Sequence, residues 1–206
     1  MTVLTMSANA FTDLASANAF ASSDKAGHLL TGVLLDFKTD GTVTNVMAIA
    51  NDRYKLVTIE REAISASADA GSMLIPGDTL AKAAKDAAKT GDEVTITVED
   101  NLTFTIGNAN EDWRYGGRLV DGKYPDVLSL IPKSGTLHEV DGGIAFNAFF
   151  LADFIKVAPW CGVKGRNKSG DDATIRITAI NDNRRPIRLE SWDRRTTIVI
   201  MPVANR

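Results

Sequence analysis

Apolar and polar residues alternate along most of the chain in short bursts closed by turn-forming residues, a pattern that predicts many strands and few helices. Residues 3–6 read as a strand, 9–21 as a helix and 22–27 as a loop. Strands follow at 29–37, 43–50 and 55–61, with Asp40-Gly41 as a hairpin signal between the first two. At 71–76 the pattern begins again. Asp78 is placed to cap a helix that Ala, Leu and Lys favour through Lys89, and Gly91 is suited to end it with a positive φ. Strands at 94–99, 102–106 and 113–119 come next, and Gly116-Gly117 reads as an irregularity in the last of them. After a turn-rich stretch at 122–132, a strand at 143–146, a helix at 148–157 ended by Pro159, and strands at 174–180, 187–192 and 197–201 make a third round.

The expected fold class is therefore α+β: three copies of one β-α-β-β-β unit, each roughly 65 to 70 residues long. One helix covers a unit's sheet poorly, so units of this kind share a core or stack into a larger body. Residues 1–133 are expected to form a complete two-unit domain. Residues 134–206 are expected to be a third unit, half a domain in need of a partner.

Composition narrows the possibilities. A chain of 206 residues with 44% hydrophobic content can bury a real core. Its longest apolar runs, 32–37 and 197–203, are too short to cross a bilayer, no secretory signal opens the sequence, and the single Cys161 closes no intrachain disulfide. No membrane association and a cytoplasmic location are expected. A net charge of −3 argues against nucleic-acid binding over the whole surface, so contact with DNA would have to be local. Cations do gather, around 82–89, 164–168 and 184–195.

Signals for catalysis are poor. His28 and His138 lie far apart, Cys161 has no neighbouring ligand spacing, no phosphate-binding loop of the Walker type occurs, and Glu111 and Asp112 fall in a loop. Neither an enzyme nor a bound metal or cofactor is expected. The helix at 78–89 is more informative. Lys82, Lys85 and Lys89 share one stripe while Leu80, Ala83, Ala84 and Ala87 supply a packing surface. A stripe of this kind also suits an ordinary solvated face, as does the basic loop with Lys164, Arg166 and Lys168.

Four stretches add a resemblance. LLTGVLLDF at 29–37, AIANDRYKLV at 48–57, RLVDGKYPDVLSLIPK at 118–133 and IVIMPV at 198–203 resemble, in order and spacing, segments of the bacterial beta sliding clamp family. DGKYPD and the terminal MPV are the most specific parts. The resemblance implies a DNA clamp fold with helices on the inner face of a ring and antiparallel sheets outside. It also implies a non-enzymatic processivity factor that encircles duplex DNA without reading sequence, and tethers a polymerase and a clamp loader through their peptide motifs. Lys82, Lys85, Lys89, Lys25, Lys164, Arg166 and Lys168 would then face DNA. A client-peptide groove would be formed by Leu30, Tyr54, Leu56, Pro125, Leu130, Pro186, Val199, Met201, Pro202 and Val203.

The sequence departs from the family plan in several places. It reads as lacking the first domain and the first half of the last, leaving one and a half domains. Family rings contain about twelve units, so a homotetramer is expected to close a ring of the same size. The first helix offers no Lys or Arg between Asn9 and Ala21; Arg53 stands where the family commonly has glycine, and Ser129 where an arginine often lines the groove. A clamp-like interaction protein that binds clamp clients without encircling DNA is the alternative.

Overall fold

The computed structural model describes residues 1–137, 145, 147–157, 175–180, 185–191 and 194–202. The first repeat consists of β1 (Thr2–Met6), α1 (Ala8–Ser16), β2 (Gly32–Asp40), β3 (Val43–Asn51) and β4 (Lys55–Ala63), followed by a two-residue β5 (Ser65–Ala66). The second consists of β6 (Ala70–Pro76), α2 (Gly77–Thr90), β7 (Val94–Val98), β8 (Thr103–Asn108) and β9 (Arg114–Arg118). A short β10 (Thr136–Leu137) precedes α3 (Ala148–Val157), β11 (Ile175–Ile180), β12 (Ile187–Ser191) and β13 (Thr196–Ile200). Of the strand expected at 143–146 only Ala145 lies within the described residues, the rest outside them.

The first two repeats exchange strands. β1 joins the sheet of the second repeat, in the order β5-β1-β7-β8-β9, and β6 joins the sheet of the first, pairing antiparallel with β2. Each unit thus completes the other's sheet. The third repeat enters at the seam between β4 and β13, which pair antiparallel with Leu56 opposite Val199 and Val57 opposite Ile198. One eight-stranded sheet results, ordered β10-β11-β12-β13-β4-β3-β2-β6.

That sheet is covered on both faces, which accounts for its nearly continuous apolar strands. Val33, Leu35, Phe37, Val46, Ala48, Val57, Ile59, Ile198 and Ile200 point to the main core, which they share with α1, α2 and α3. The alternate positions Ile49, Leu56, Leu74 and Val199 point the other way, into a second core with Leu30, Tyr124 and Val127. The turn-rich stretch after β9 therefore runs back across the outer sheet face, and the backbone N–H of Val120 donates to the carbonyl of Leu74 at 2.9 Å. The tyrosine of DGKYPD is a core residue: buried Tyr124 accepts a 2.7 Å hydrogen bond from Asn51 Nδ2. Burial pushes the Tyr124 hydroxyl up to about 12, and the bond from Asn51 only partly opposes it.

Several local expectations need correction. The first helix is shorter than 9–21. Ser7 caps it by accepting from the Ala10 N–H at 3.2 Å, and after Ser16 the chain tightens into a 3-10 turn over Ala17–Phe20. Residues 22–31 are not a plain loop running into a strand. Asp24 accepts from the Ala26 N–H and starts 3-10 turns over Lys25–Thr31, so β2 begins only at Gly32. Asp78 is not the cap of α2. That helix follows directly on β6 at Pro76, and Asp78 sits in its first turn, where its charge suits the helix dipole. Gly77 is required there because a Cβ would lie 1.8 Å from Asn18 Oδ1 and 2.9 Å from the Thr31 carbonyl. Gly91 does end α2 with φ 72°, its N–H bonded to the Ala87 carbonyl. Gly116-Gly117 is no irregularity: β8 and β9 pair without a break, and Gly117 leaves room for the Phe104 ring.

Candidate functional site

Two surfaces hold the site residues expected from sequence, one on each face of the eight-stranded sheet. On the helical face α1 packs between α2 and α3. Leu80, Ala83 and Ala87 of α2 are buried, while Lys82, Lys85 and Lys89 are exposed on the opposite stripe. Lys89 donates to Asp86 at 2.6 Å, and the Tyr115 hydroxyl on β9 donates to the same carboxylate at 2.5 Å. The bonds from Lys89 and Tyr115 hold the Asp86 carboxyl below its ordinary range, and the carboxylate in turn raises the Tyr115 hydroxyl. Small side chains leave a shallow depression of about 420 Å³ between α1 and α2, lined by Thr12, Ala15, Ala81, Ala84 and Ala88 with Lys85 and Lys156 at its edges. Lys156 comes from α3 and was not expected from the sequence pattern. Lys25 opens the 3-10 segment, but its side chain lies outside the described residues, as do Lys164, Arg166 and Lys168.

The other surface is a cleft at the seam of β4 and β13. Tyr54, Leu56, Leu130, Pro186, Val199 and Met201 line it, together with Asn51, Arg53, Lys55 and Val127. It holds about 70 Å³, room for one inserted side chain rather than an enclosed ligand. Of the groove residues expected from sequence, Leu30 lies underneath in the second core, Pro125 is exposed and Pro202 half-buried away from the lining, and Val203 is outside the described residues.

The turn between β3 and β4 shapes the cleft. Asp52 Oδ1 accepts from the N–H groups of Tyr54 at 3.0 Å and Lys55 at 2.9 Å, and the Met201 N–H donates to the Tyr54 carbonyl. Asn51 Oδ1 receives the Arg53 N–H at 3.3 Å, so one buried amide braces both Tyr124 and the turn. Arg53 has φ 81°, a left-handed backbone that glycine adopts at less cost than a bulky residue. Tyr54, 62% exposed, stacks on Phe150 of α3 with ring centres 6.4 Å apart.

Behind the cleft a charged cluster ties the third repeat to the first. Lys55, only 8% exposed, donates to Asp153 of α3 and to the Ala19 carbonyl at 3.0 Å; its ammonium lies 3.7 Å from Asp52 and 5.0 Å from the centre of the Phe20 ring. Burial works to raise the Asp153 carboxyl, but hydrogen bonds from Lys156 and Lys55 and their charges outweigh it and hold the group below 3.8. On the far side Arg188 donates to the Pro132 carbonyl at 3.0 Å, fastening the segment that carries Val127 and Leu130. Asn51, Lys55 and Val127 were missed from sequence because each reads there as an ordinary turn or strand residue.

Among the described residues no group of three or more His, Cys, Asp or Glu side chains is arranged to hold a metal ion, and no helix is long and apolar enough to cross a membrane. A layer of helices backed by sheets that run on from one repeat into the next is the architecture of DNA clamps. The model of the DNA polymerase III beta subunit central domain matches residues 5–126. The chain belongs to the DNA polymerase III beta subunit family. It is 34% identical to the beta sliding clamp of Micrococcus luteus over 122 residues, which are 58% of this chain and 37% of that protein. It is 24% identical to the beta sliding clamp of Caulobacter vibrioides over 113 residues, 54% of this chain and 29% of that one. Among solved structures, the Bacillus subtilis DNA polymerase sliding clamp superposes on 99% of this chain and 64% of its own, with TM-score 0.74 and 17% identity. The Thermotoga maritima DNA polymerase III beta subunit covers 100% and 66%, with TM-score 0.76 and 14% identity. The matched region thus spans about a third of the length of these curated relatives.

Proposed function

We propose that the chain works as a DNA sliding clamp: it encircles duplex DNA as part of an oligomeric ring and tethers a polymerase through the cleft at the β4–β13 seam. The reading rests above all on the exposed lysine stripe of α2, which lies on the helical face, opposite the cleft. A clamp has to hold DNA topologically without gripping it, and a few lysines on a helical wall supply weak, sequence-independent phosphate contacts that permit sliding. The cleft, with Met201, Pro186 and several aliphatic walls, suits extended apolar peptides from a polymerase or a loader. Residues 1–133 act as a two-unit domain and 134–206 as a half domain completed by a neighbouring copy. Four copies supply the number of units in a family ring.

Retention on nicked circular plasmid against its linearised form tests encirclement. The chain stays on circles and runs off linear DNA, and Lys82→Glu with Lys85→Glu shortens retention on circles while the circular-dichroism spectrum stays unchanged. Equal retention on both DNA forms refutes encirclement. Native mass spectrometry reads the oligomer, and a monomer at micromolar concentration refutes the ring. The absence of any cation on α1 favours a second reading, a client-binding protein that does not enclose DNA. Under that reading peptides bind and DNA retention never depends on closed circles.

A further inference from the structure

Arg53 is the feature of the cleft that the clamp reading leaves unused. It sits on the turn between β3 and β4, in a backbone conformation that favours glycine. A bulky residue held at φ 81° is a local strain that the surroundings have to fix, and here Asn51 accepts its N–H while Asp52 shapes the residues after it. The side chain is directed to a definite place. Its Nη2 lies 3.0 Å from the point where a Cβ on Gly27 would be, so the guanidinium packs over the bare backbone of the 3-10 segment. It is exposed and lines the cleft beside Tyr54, Leu56, Leu130 and Met201.

Among the described residues its charge has no partner of opposite sign. The nearest carboxylate in sequence, Asp52, is spent on the Tyr54 and Lys55 amides and on the Lys55 ammonium. The other cation of the lining, Lys55, is buried and satisfied by Asp153, Ala19 and Asp52. Among the described residues the cleft therefore offers apolar walls with one unpaired guanidinium at its edge, a planar donor fork that suits a carboxylate.

We infer that Arg53 makes the cleft selective for peptide segments that carry an acidic side chain beside their apolar anchor. This rests on the proposal that the cleft receives client peptides and adds which of them it prefers. The complementary occupant is an extended segment that inserts one apolar side chain between Leu56 and Met201 and lays an Asp or Glu against the guanidinium.

Fluorescence anisotropy with the full chain tests it. The probes are labelled hexapeptides with two leucines and a single Asp walked through the other four positions, each matched by its Asn counterpart. At one or two positions the Asp peptide binds roughly two- to five-fold tighter than its Asn twin, the range of an exposed ion pair, and the gap closes at high salt. Arg53→Gln abolishes the preference and Arg53→Lys keeps part of it; both variants retain a side chain on the strained turn. Gly27→Ala, which displaces the guanidinium while sparing its charge, also reduces it. Asp and Asn peptides that bind alike at every position, or a preference that survives Arg53→Gln, overturn the inference while leaving the cleft reading in place. If wild type binds none of the peptides, the cleft reading itself falls and takes the inference with it.

Discussion

Replacing Asp153 with asparagine removes the carboxylate that meets Lys55 and leaves that ammonium, 8% exposed, in a mostly apolar setting. Losing one partner of a buried ion pair costs about 3–5 kcal/mol when the remaining charge is fully stranded. Lys55 is not fully stranded: the Ala19 carbonyl is 3.0 Å away, Asp52 3.7 Å, and the Phe20 ring faces the ammonium. Asp153→Asn is therefore expected to cost about 2–3 kcal/mol, below that range. Lys55→Met is milder. The apolar stem stays against Phe20, and Asp153, with 16% side-chain exposure, keeps Lys156 at 2.6 Å, so the loss is about 1 kcal/mol. Urea unfolding followed by far-UV circular dichroism reads the difference, with a midpoint shift of roughly 1 M for Asp153→Asn and under about half that for Lys55→Met. The acid limb gives a second check. The folded Asp153 carboxyl lies below its ordinary 3.8, so its stabilisation is complete above the unfolded value and fades as pH falls through the folded one. The gap between wild type and Asp153→Asn consequently narrows as pH drops below about 4. A more damaging Lys55→Met, or a gap that is the same at neutral and acid pH, rules out Asp153 as the counter-charge that Lys55 depends on.

Two further measurements follow from the fold. Tyr124→Phe loses the bond from Asn51 at a cost of about 1 kcal/mol and removes the tyrosine absorbance step near pH 12. Because its folded value is raised, the stabilisation from wild-type Tyr124 is complete below the ordinary value of 10.0 and lost as pH rises through about 12. A variant with an unchanged alkaline titration contradicts the assignment. Gly77→Ala forces a methyl against Asn18 Oδ1 and the Thr31 carbonyl and is expected to cost about 1–3 kcal/mol, seen as a lower melting temperature. A variant as stable as wild type means that the junction of β6 and α2 has slack that these distances do not show.

The repeat was readable in the sequence because strands alternate with period two and the helices carry a one-sided stripe; α3 begins and ends at the residues expected, Ala148 and Val157. Its boundaries were less readable where a tertiary contact overrides local preference. Asp78 is a good cap by type, yet the helix starts one residue earlier because β6 runs straight into it and only Gly77 fits beside Asn18. The strand exchange between β1 and β6 has no local signature at all, since pairing partners far apart in sequence are set by which edges remain open after each unit folds. β10 was missed because two residues in parallel pairing with β11 show no periodicity.

For the site, the resemblance named the apolar walls, and the structure brings Tyr54, Leu56, Leu130, Pro186, Val199 and Met201 around one cleft. What motif matching could not supply was the support: Asn51 holding Tyr124 and the Arg53 amide together, and Lys55 reaching across to α3. The Asn51–Tyr124 and Lys55–Asp153 contacts join residues far apart in sequence, and both involve polar groups that become informative only once they are known to be buried. The same buried groups brace the cleft beneath its exposed rim. Its floor is the β4–β13 seam, where the first and third repeats meet, so a peptide resting there touches both repeats at once. Any change in how the third repeat docks, whether through Lys55 and Asp153 or through Tyr54 and Phe150, moves one wall against the other. Occupancy of the cleft and docking of the third repeat are therefore coupled: whatever binds across both walls stabilises the seam, by an amount set by its concentration relative to its dissociation constant.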